Sequence, residues 1–178
     1  MFHGFISVCY LSVMGKYEDL VAKDHWLLAL DGYAWTLGDR VQRRQILADD
    51  CFALPPAEAA RHLFELLAPG LAAKIGEGDF LVAGEGFAAD VAHKPLPSIL
   101  RAAGLAAVVA RSFGAYFEHS AIRAGLPALV VEETGAIKQG DRLRVDVEAH
   151  VVANKSSGDR YVIRNIDDAA LAILRAVS

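Results

Sequence analysis

Phe80-Leu-Val-Ala83, Leu105-Ala-Ala-Val-Val-Ala110 and Pro127-Ala-Leu-Val-Val131 are short, unbroken apolar runs, and their order along the chain decides the fold. Each has the length and composition of a strand buried on both faces. Between the first and second lie a loop, Gly84 to Pro97, and a helical stretch, Ser98 to Ala103, ended by Gly104. Between the second and third lies a helix that Ser112 is placed to cap. Its residues Tyr116, Ser120 and Arg123 form one stripe and Phe113, Phe117 and Ala121 another, and Gly125 closes it. Strand, helix, strand, helix, strand at this spacing is a parallel βαβαβ unit with right-handed crossovers. Ligand sites in such sheets lie beyond the carboxyl ends of the strands. Those ends are Gly84-Glu85-Gly86, Arg111-Ser112 and Glu132-Glu133.

Downstream the pattern changes. Leu143, Val145 and Val147 alternate with charged residues, which marks a half-buried antiparallel strand. Lys155 to Asp159 is a turn, and Tyr161 to Ile163 returns as the partner strand. Asp167 caps a final helix whose Ala170, Leu171, Leu174 and Val177 face the core. Upstream, Pro55-Pro56 opens a helix with Ala59, Leu63, Leu66 and Leu67 on one face, ended by Pro69-Gly70. Asp31-Gly32 reads as a turn, and Tyr17 to Leu30 as a short helix. The apolar leader from Phe5 to Val13 falls short of the roughly 20 residues that a membrane span needs.

Hydrophobic residues are 54% of the 178 and charged residues 22%, enough to bury a core and too ordered a composition for a disordered chain. A formal charge of -4 gives no general attraction to nucleic acid or to an acidic membrane. Cys9 and Cys51 form no CxxC pair and no cluster with histidine, so neither a disulfide framework nor a metal centre built by this chain is expected. A reducing cytoplasm is the expected setting.

Leu81-Val-Ala-Gly-Glu-Gly-Phe87, then Gly104 to Phe113, then Phe117 and Gly125-Leu-Pro127, together resemble the small subunit of 3-isopropylmalate dehydratases, the aconitase-type swivel domain. Trp35-Thr-Leu-Gly-Asp39 resembles the family's opening strand and turn, and Ile137-Lys-Gln-Gly-Asp141 its I-K-x-G-D approach to a β-ribbon. The resemblance runs from about Gly32 to Ala176. It implies an α/β fold: a swivelling β/β/α domain over residues 32–178, with a parallel βαβαβ core and an antiparallel β-ribbon, preceded by an N-terminal extension over residues 1–31. It also implies a mode of action. In the family a separate large subunit carries an iron–sulfur (4Fe–4S) cluster. The small subunit supplies a serine base and a carboxylate-binding arginine from the motif G-E-N-F-G-C-G-S-S-R-E-H.

The matching stretch here is Gly84-Glu-Gly-Phe-Ala-Ala-Asp-Val-Ala-His-Lys-Pro95. Its length is kept and its chemistry is not. The serines become Val91 and Ala92, the arginine becomes His93, and the glycine before the serines becomes Asp90. Valine and alanine carry no proton, and histidine makes no bidentate fork to a carboxylate. A carboxylate in place of glycine sets like charge against an acidic substrate, at roughly a few kcal/mol in a partly desolvated site. The family's N-I-D-T-D run is replaced as well, by Arg40-Val-Gln-Arg-Arg44.

These replacements nominate a site. His93, with Asp90 or Lys94, is the candidate for proton transfer near neutral pH. Arg43 or Arg44 is the candidate replacement for the lost carboxylate clamp, with Glu85, Val91 and Ser112 as further substrate-binding residues. His119 is close enough in sequence to be considered, and Cys51 reads as core. The first expectation is a stand-alone, metal-free lyase, isomerase or cyclase in a biosynthetic pathway, acting on a small molecule. A second is a small subunit of a hydro-lyase or isomerase with an iron–sulfur large subunit. A third is a non-catalytic binding or assembly protein, with homo-oligomer contacts. None involves nucleic acid or a membrane.

Overall fold

The structure, a computed structural model, describes residues 29–90 and 95–177. The apolar leader, the proposed helix from Tyr17 up to residue 28, and Val91 to Lys94 lie outside the described residues. Seven strands form one sheet in the order β4-β3-β2-β1-β5-β6-β7. They are β1 (Ala29–Thr36), β2 (Phe80–Val82), β3 (Ala107–Ala110), β4 (Ala128–Val130), β5 (Arg142–Asp146), β6 (Val151–Asn154) and β7 (Arg160–Val162). The neighbours β1, β2, β3 and β4 run parallel. From β1 to β7 the pairings are antiparallel. The helices are α1 (Arg43–Ile46), α2 (Pro56–Ala59), α3 (Leu96–Ala102), α4 (Ala115–Arg123) and α5 (Asp168–Val177).

The strands alternate across two cores, as a twofold side-chain period requires. Leu81, Ala83, Val108 and Ala110 enter one core with Leu96, Ile99 and Leu100 of α3 and with Phe117 and Ala121 of α4. Phe80, Val82, Ala107 and Val109 enter the other with Leu143, Val145 and Val152 and with Ala170, Leu171 and Leu174 of α5. The central strands are therefore covered on both faces, which is why they read as continuous apolar runs. The βαβαβ unit, β2-α3-β3-α4-β4, is as the sequence predicts. Among the described residues no helix is long and apolar enough to cross a membrane.

Other local expectations are corrected. Asp31-Gly32 is not a turn but lies within β1, where Asp31 pairs with Arg144 and Gly32 with Leu143. Glycine serves close approach there, because a Cβ on Gly32 would collide with the carbonyl oxygen of Gly78. β1 thus runs through the expected start of the swivel unit, and Ala29 and Leu30 are strand, not helix. The single helix expected after Pro55 is broken. α2 passes into a 3-10 turn, Ala60–His62, and the chain then extends at Leu63. Phe64 takes φ +63° and donates its N–H to Ile46 O at 2.7 Å, with its ring fully buried. Burying Leu63 and Phe64 side by side outweighs helix propagation, and Leu66 is left 77% exposed. The partner of β5 is β6, a strand the sequence does not announce, and Tyr161 pairs with Val152 of β6. Asp167 does cap α5, accepting from Ala170 N at 2.8 Å, but Val177 faces outward.

Candidate functional site

A cleft of about 530 Å³ opens beyond the carboxyl ends of the parallel strands. Its walls include Thr36 at the end of β1 and Asp39 after it, Val82 and Gly84 at β2, Arg111 after β3, and Glu132, Glu133 and Thr134 after β4. The size suits a small organic ligand. Strand-end geometry thus locates the cleft where the sheet topology requires it.

The chain leaving β2 does not simply line this cleft. It is zipped to the segment leaving β1, so that parallel pairing continues past the strands. Gly84 N donates to Gly38 O at 3.1 Å, Arg40 N to Glu85 O at 2.6 Å, and Ala88 N to Val41 O at 2.9 Å. Glu85 N donates to Asp39 Oδ1 at 2.7 Å. On the other side Phe87 N donates to Ser112 O and Gly114 N to Phe87 O, both at 3.0 Å. The Phe87 ring is fully buried, edge-on to Phe113 at 6.2 Å and to Phe117 at 5.3 Å. Phe87 and Ala88 belong to the core of α3 and α4, and none of residues 85–90 lines the cleft. The loop therefore turns away from the cleft soon after Gly84.

This geometry decides what several candidate residues do. Asp90 Oδ1 accepts from Arg43 N at 2.7 Å, so the carboxylate secures the first N–H of α1 to the loop. Arg43 and Arg44 are in α1, not in an open turn. The Arg43 side chain is 17% exposed, pairs with Asp49, and lies 5.9 Å over the Phe52 ring. Arg44 is 76% exposed, with Nε 3.5 Å from Asp49 Oδ2. Neither arginine lines the cleft. Ser112 does not cap α4, whose N-cap is Gly114 with no side-chain bond. Its Oγ instead accepts from Gly86 N at 2.8 Å and ties the two loops together. Glu85 is exposed, and its part in the zip is made by the backbone. His93, Lys94 and Val91 lie outside the described residues.

His119 lies on a shallow, largely apolar groove with Tyr116, Ser120 and Arg123, away from the strand-end cleft. Cys51 packs half-buried against the core, and its thiol is pushed up from its ordinary range, by burial first and then by the Asp50 charge. That makes it a poor nucleophile. Among the described residues no group of three or more His, Cys, Asp and Glu could hold a metal ion.

The sequence places Arg111 and Glu133 at strand ends but nominates only Glu85 and Ser112 there as binding residues, and it nominates neither Asp39 nor Thr134. A signal for Arg111 was available. Val109 faces the core of α5 and Ala110 that of α3, so alternation turns the next residue back toward the side of the cleft.

No family model matches the chain. It is 38% identical over 144 residues to the 3-isopropylmalate dehydratase small subunit 1 of Archaeoglobus fulgidus, covering 80% of this chain and 89% of that protein. It is 33% identical over 146 residues to the 3-isopropylmalate dehydratase small subunit 1 of Thermotoga maritima, covering 81% and 88%. Among solved structures it resembles the 3-isopropylmalate dehydratase (leuD) of Methanocaldococcus jannaschii, with a TM-score of 0.79 at 26% identity over 84% of this chain and 90% of that one.

Proposed function

The chain belongs to the 3-isopropylmalate dehydratase small-subunit family, and on that premise we propose that it is the small subunit of a two-subunit hydro-lyase acting on a small hydroxy-carboxylate. The expectation of a stand-alone, metal-free enzyme finds no support, since the relatives it matches are small subunits by name. The observation that carries the proposal is that the chain matches small subunits over most of their length, 89% and 88% for the two relatives named, while a backbone zip to the segment after β1 holds the start of the motif loop.

An iron–sulfur cluster would be the large subunit's. The described residues of this chain offer no ligand set for one. Bound there, the cluster supplies Lewis-acid activation of a substrate hydroxyl. This chain would cover the cluster with its strand-end face and manage a proton. His93 is assigned that role, because Val91 and Ala92 have none to give. Asp90 acts one step back, since Oδ1 already holds Arg43 N. Lys94 is assigned to an anionic group and Val91 to an apolar contact, from their residue types alone.

The test is co-expression with an iron–sulfur large subunit from the same source. A stable complex is expected on size exclusion, with hydration activity that His93→Ala lowers at least about a hundredfold while the complex survives. Activity of this chain alone, or no association, rejects the proposal.

A second reading, a non-catalytic assembly subunit, is favoured by one observation. Asp90, Arg43 and Ser112 are all engaged in holding loops or pairing with Asp49. Complex formation with activity indifferent to His93→Ala and Lys94→Ala would select it.

A further inference from the structure

We infer that the outer face of the antiparallel half of the sheet is a docking surface, and that its occupant is this chain's own segment Tyr17 to Leu28, folded back over it from the start of β1. In β5, β6 and β7 one face enters the core of α5 through Leu143, Val145, Val152 and Tyr161. The alternate residues form the other face. Ala29, Asp146, Val151 and Val162 lie side by side across the four strands, and Asp31, Arg144, Ala153 and Arg160 form the next row. Tyr33 pairs with Arg142 in a third. Tyr33 is 54% exposed and Val162 52%, and neither they nor Ala29, Val151 or Ala153 belong to either hydrophobic core of the described residues.

Reach, pattern and charge choose the occupant. Leu28 is joined to Ala29, which stands at one corner of this face. Four strands are about 14 Å across and the twelve residues from Tyr17 to Leu28 make about 18 Å of helix, so the segment spans the face. On helical spacing Tyr17, Leu20, Val21, Leu27 and Leu28 fall on one stripe about 120° wide, with Asp24 in its middle. An acid within an apolar stripe needs a cation on the surface that the stripe covers. Arg142 and Arg160 are exposed, and their guanidiniums make no hydrogen bond or ion pair with any described residue. The segment sets Glu18, Asp19 and Asp24 against Lys23, so its charge complements those two arginines. The leucines of the stripe cover Val151, Val162 and Tyr33, and Asp24 meets Arg160 in the middle row.

The test is amide hydrogen exchange of the full-length chain, read by mass spectrometry on peptides covering residues 18–28. A helix this short is marginal alone in water, so protection there reports support from the rest of the molecule. Protection is expected, and equal at protein concentrations about a hundredfold apart. Val162→Asp should speed exchange in residues 18–28 by about tenfold or more and leave peptides of β2 and β3 unchanged. Asp24→Arg should do the same, and Asp24→Arg combined with Arg160→Asp should recover part of the protection. If Val162→Asp loosens β2 and β3 as well, the charge swap decides. Unprotected exchange in the wild type, protection indifferent to Val162→Asp, or no recovery on the charge swap overturns the inference. Protection that grows with protein concentration gives the face to a second copy, and protection that appears only with an added large subunit gives it to that partner; either result overturns it too.

Discussion

Replacing Asp79 by alanine should destabilise the fold more than any exposed change near the cleft. Asp79 is 5% exposed and immediately precedes β2. Its Oδ1 accepts from Tyr33 N at 2.9 Å, and its Oδ2 from Trp35 Nε1 at 2.7 Å and Gly76 N at 2.8 Å. Alanine orphans all three donors. A buried donor left without a partner costs about 1–3 kcal/mol, and water reaches Tyr33 and Trp35 in part, so the lower end applies and the sum is about 3–5 kcal/mol. Against a typical total of about 5–15 kcal/mol that is a large fraction. At about 2–4 °C per kcal/mol for a chain of this size, Tm should fall by roughly 6–20 °C. Urea unfolding followed by tryptophan fluorescence measures the change in midpoint. Asp79→Asn keeps one acceptor oxygen and turns an N–H2 toward the other donors, so it should lose about half as much. A loss under about 1 kcal/mol for alanine would refute the view that this carboxylate clamps β1 to β2.

Three further perturbations probe the loop and the ribbon. Gly84→Ala should cost about 1–3 kcal/mol, because its Cβ would collide with Asp39 Oδ1; adding Asp39→Ala should recover part of that loss in a double-mutant cycle of urea melts. Ala88 holds φ +53°, so Ala88→Gly should be neutral or stabilising by up to about 1 kcal/mol in the same assay, although glycine loosens most backbones. The Asp141 carboxyl lies below its ordinary range, mainly through the Lys138 N–H and then the Asn154 side chain. Its stabilisation is therefore present above the unfolded-state pKa and lost as pH falls through the lower folded-state value. Asp141→Asn should lower stability at neutral pH and flatten its fall in acid, as read from Tm against pH; an unchanged acid limb would count against the pairing.

What was legible in the sequence was the part built from local repetition. The three apolar runs with Gly104, Gly125 and Pro127 between them specify β2, β3 and β4 because such strands are buried on both sides. What stayed hidden depended on distant partners. Asp31-Gly32 has the composition of a turn, but β5 and the Gly78 carbonyl hold it in a strand. β6 carries Asn154, a buried polar residue that looks wrong for a core. Its Nδ2 donates to Asp141 Oδ2 at 2.7 Å and its Oδ1 accepts from Ser156 N at 2.9 Å. The site divides the same way. Strand ends could be named from the pattern, whereas the engagement of Asp90 by Arg43 joins residues 47 apart in sequence.

The loop after β2 keeps its course because main-chain groups hold it. The bonds from Gly84 to Gly38, from Arg40 to Glu85, from Ala88 to Val41 and from Phe87 to Ser112 all join backbone N–H to backbone C=O. Such bonds are indifferent to side-chain identity. Substitution in the loop can therefore remove a base or a clamp without moving the chain that displayed it. Ala88 records the process: it occupies the second glycine of the family motif and still takes a left-handed conformation that favours glycine. Asp90, where the motif has another glycine, adds a side-chain bond to α1. A non-glycine residue held at positive φ shows that the surrounding backbone bonds fix the course of the loop against local strain. The docking to a large subunit proposed above would depend on a loop held in this way, since it would use the shape of the loop and not the identity of its side chains.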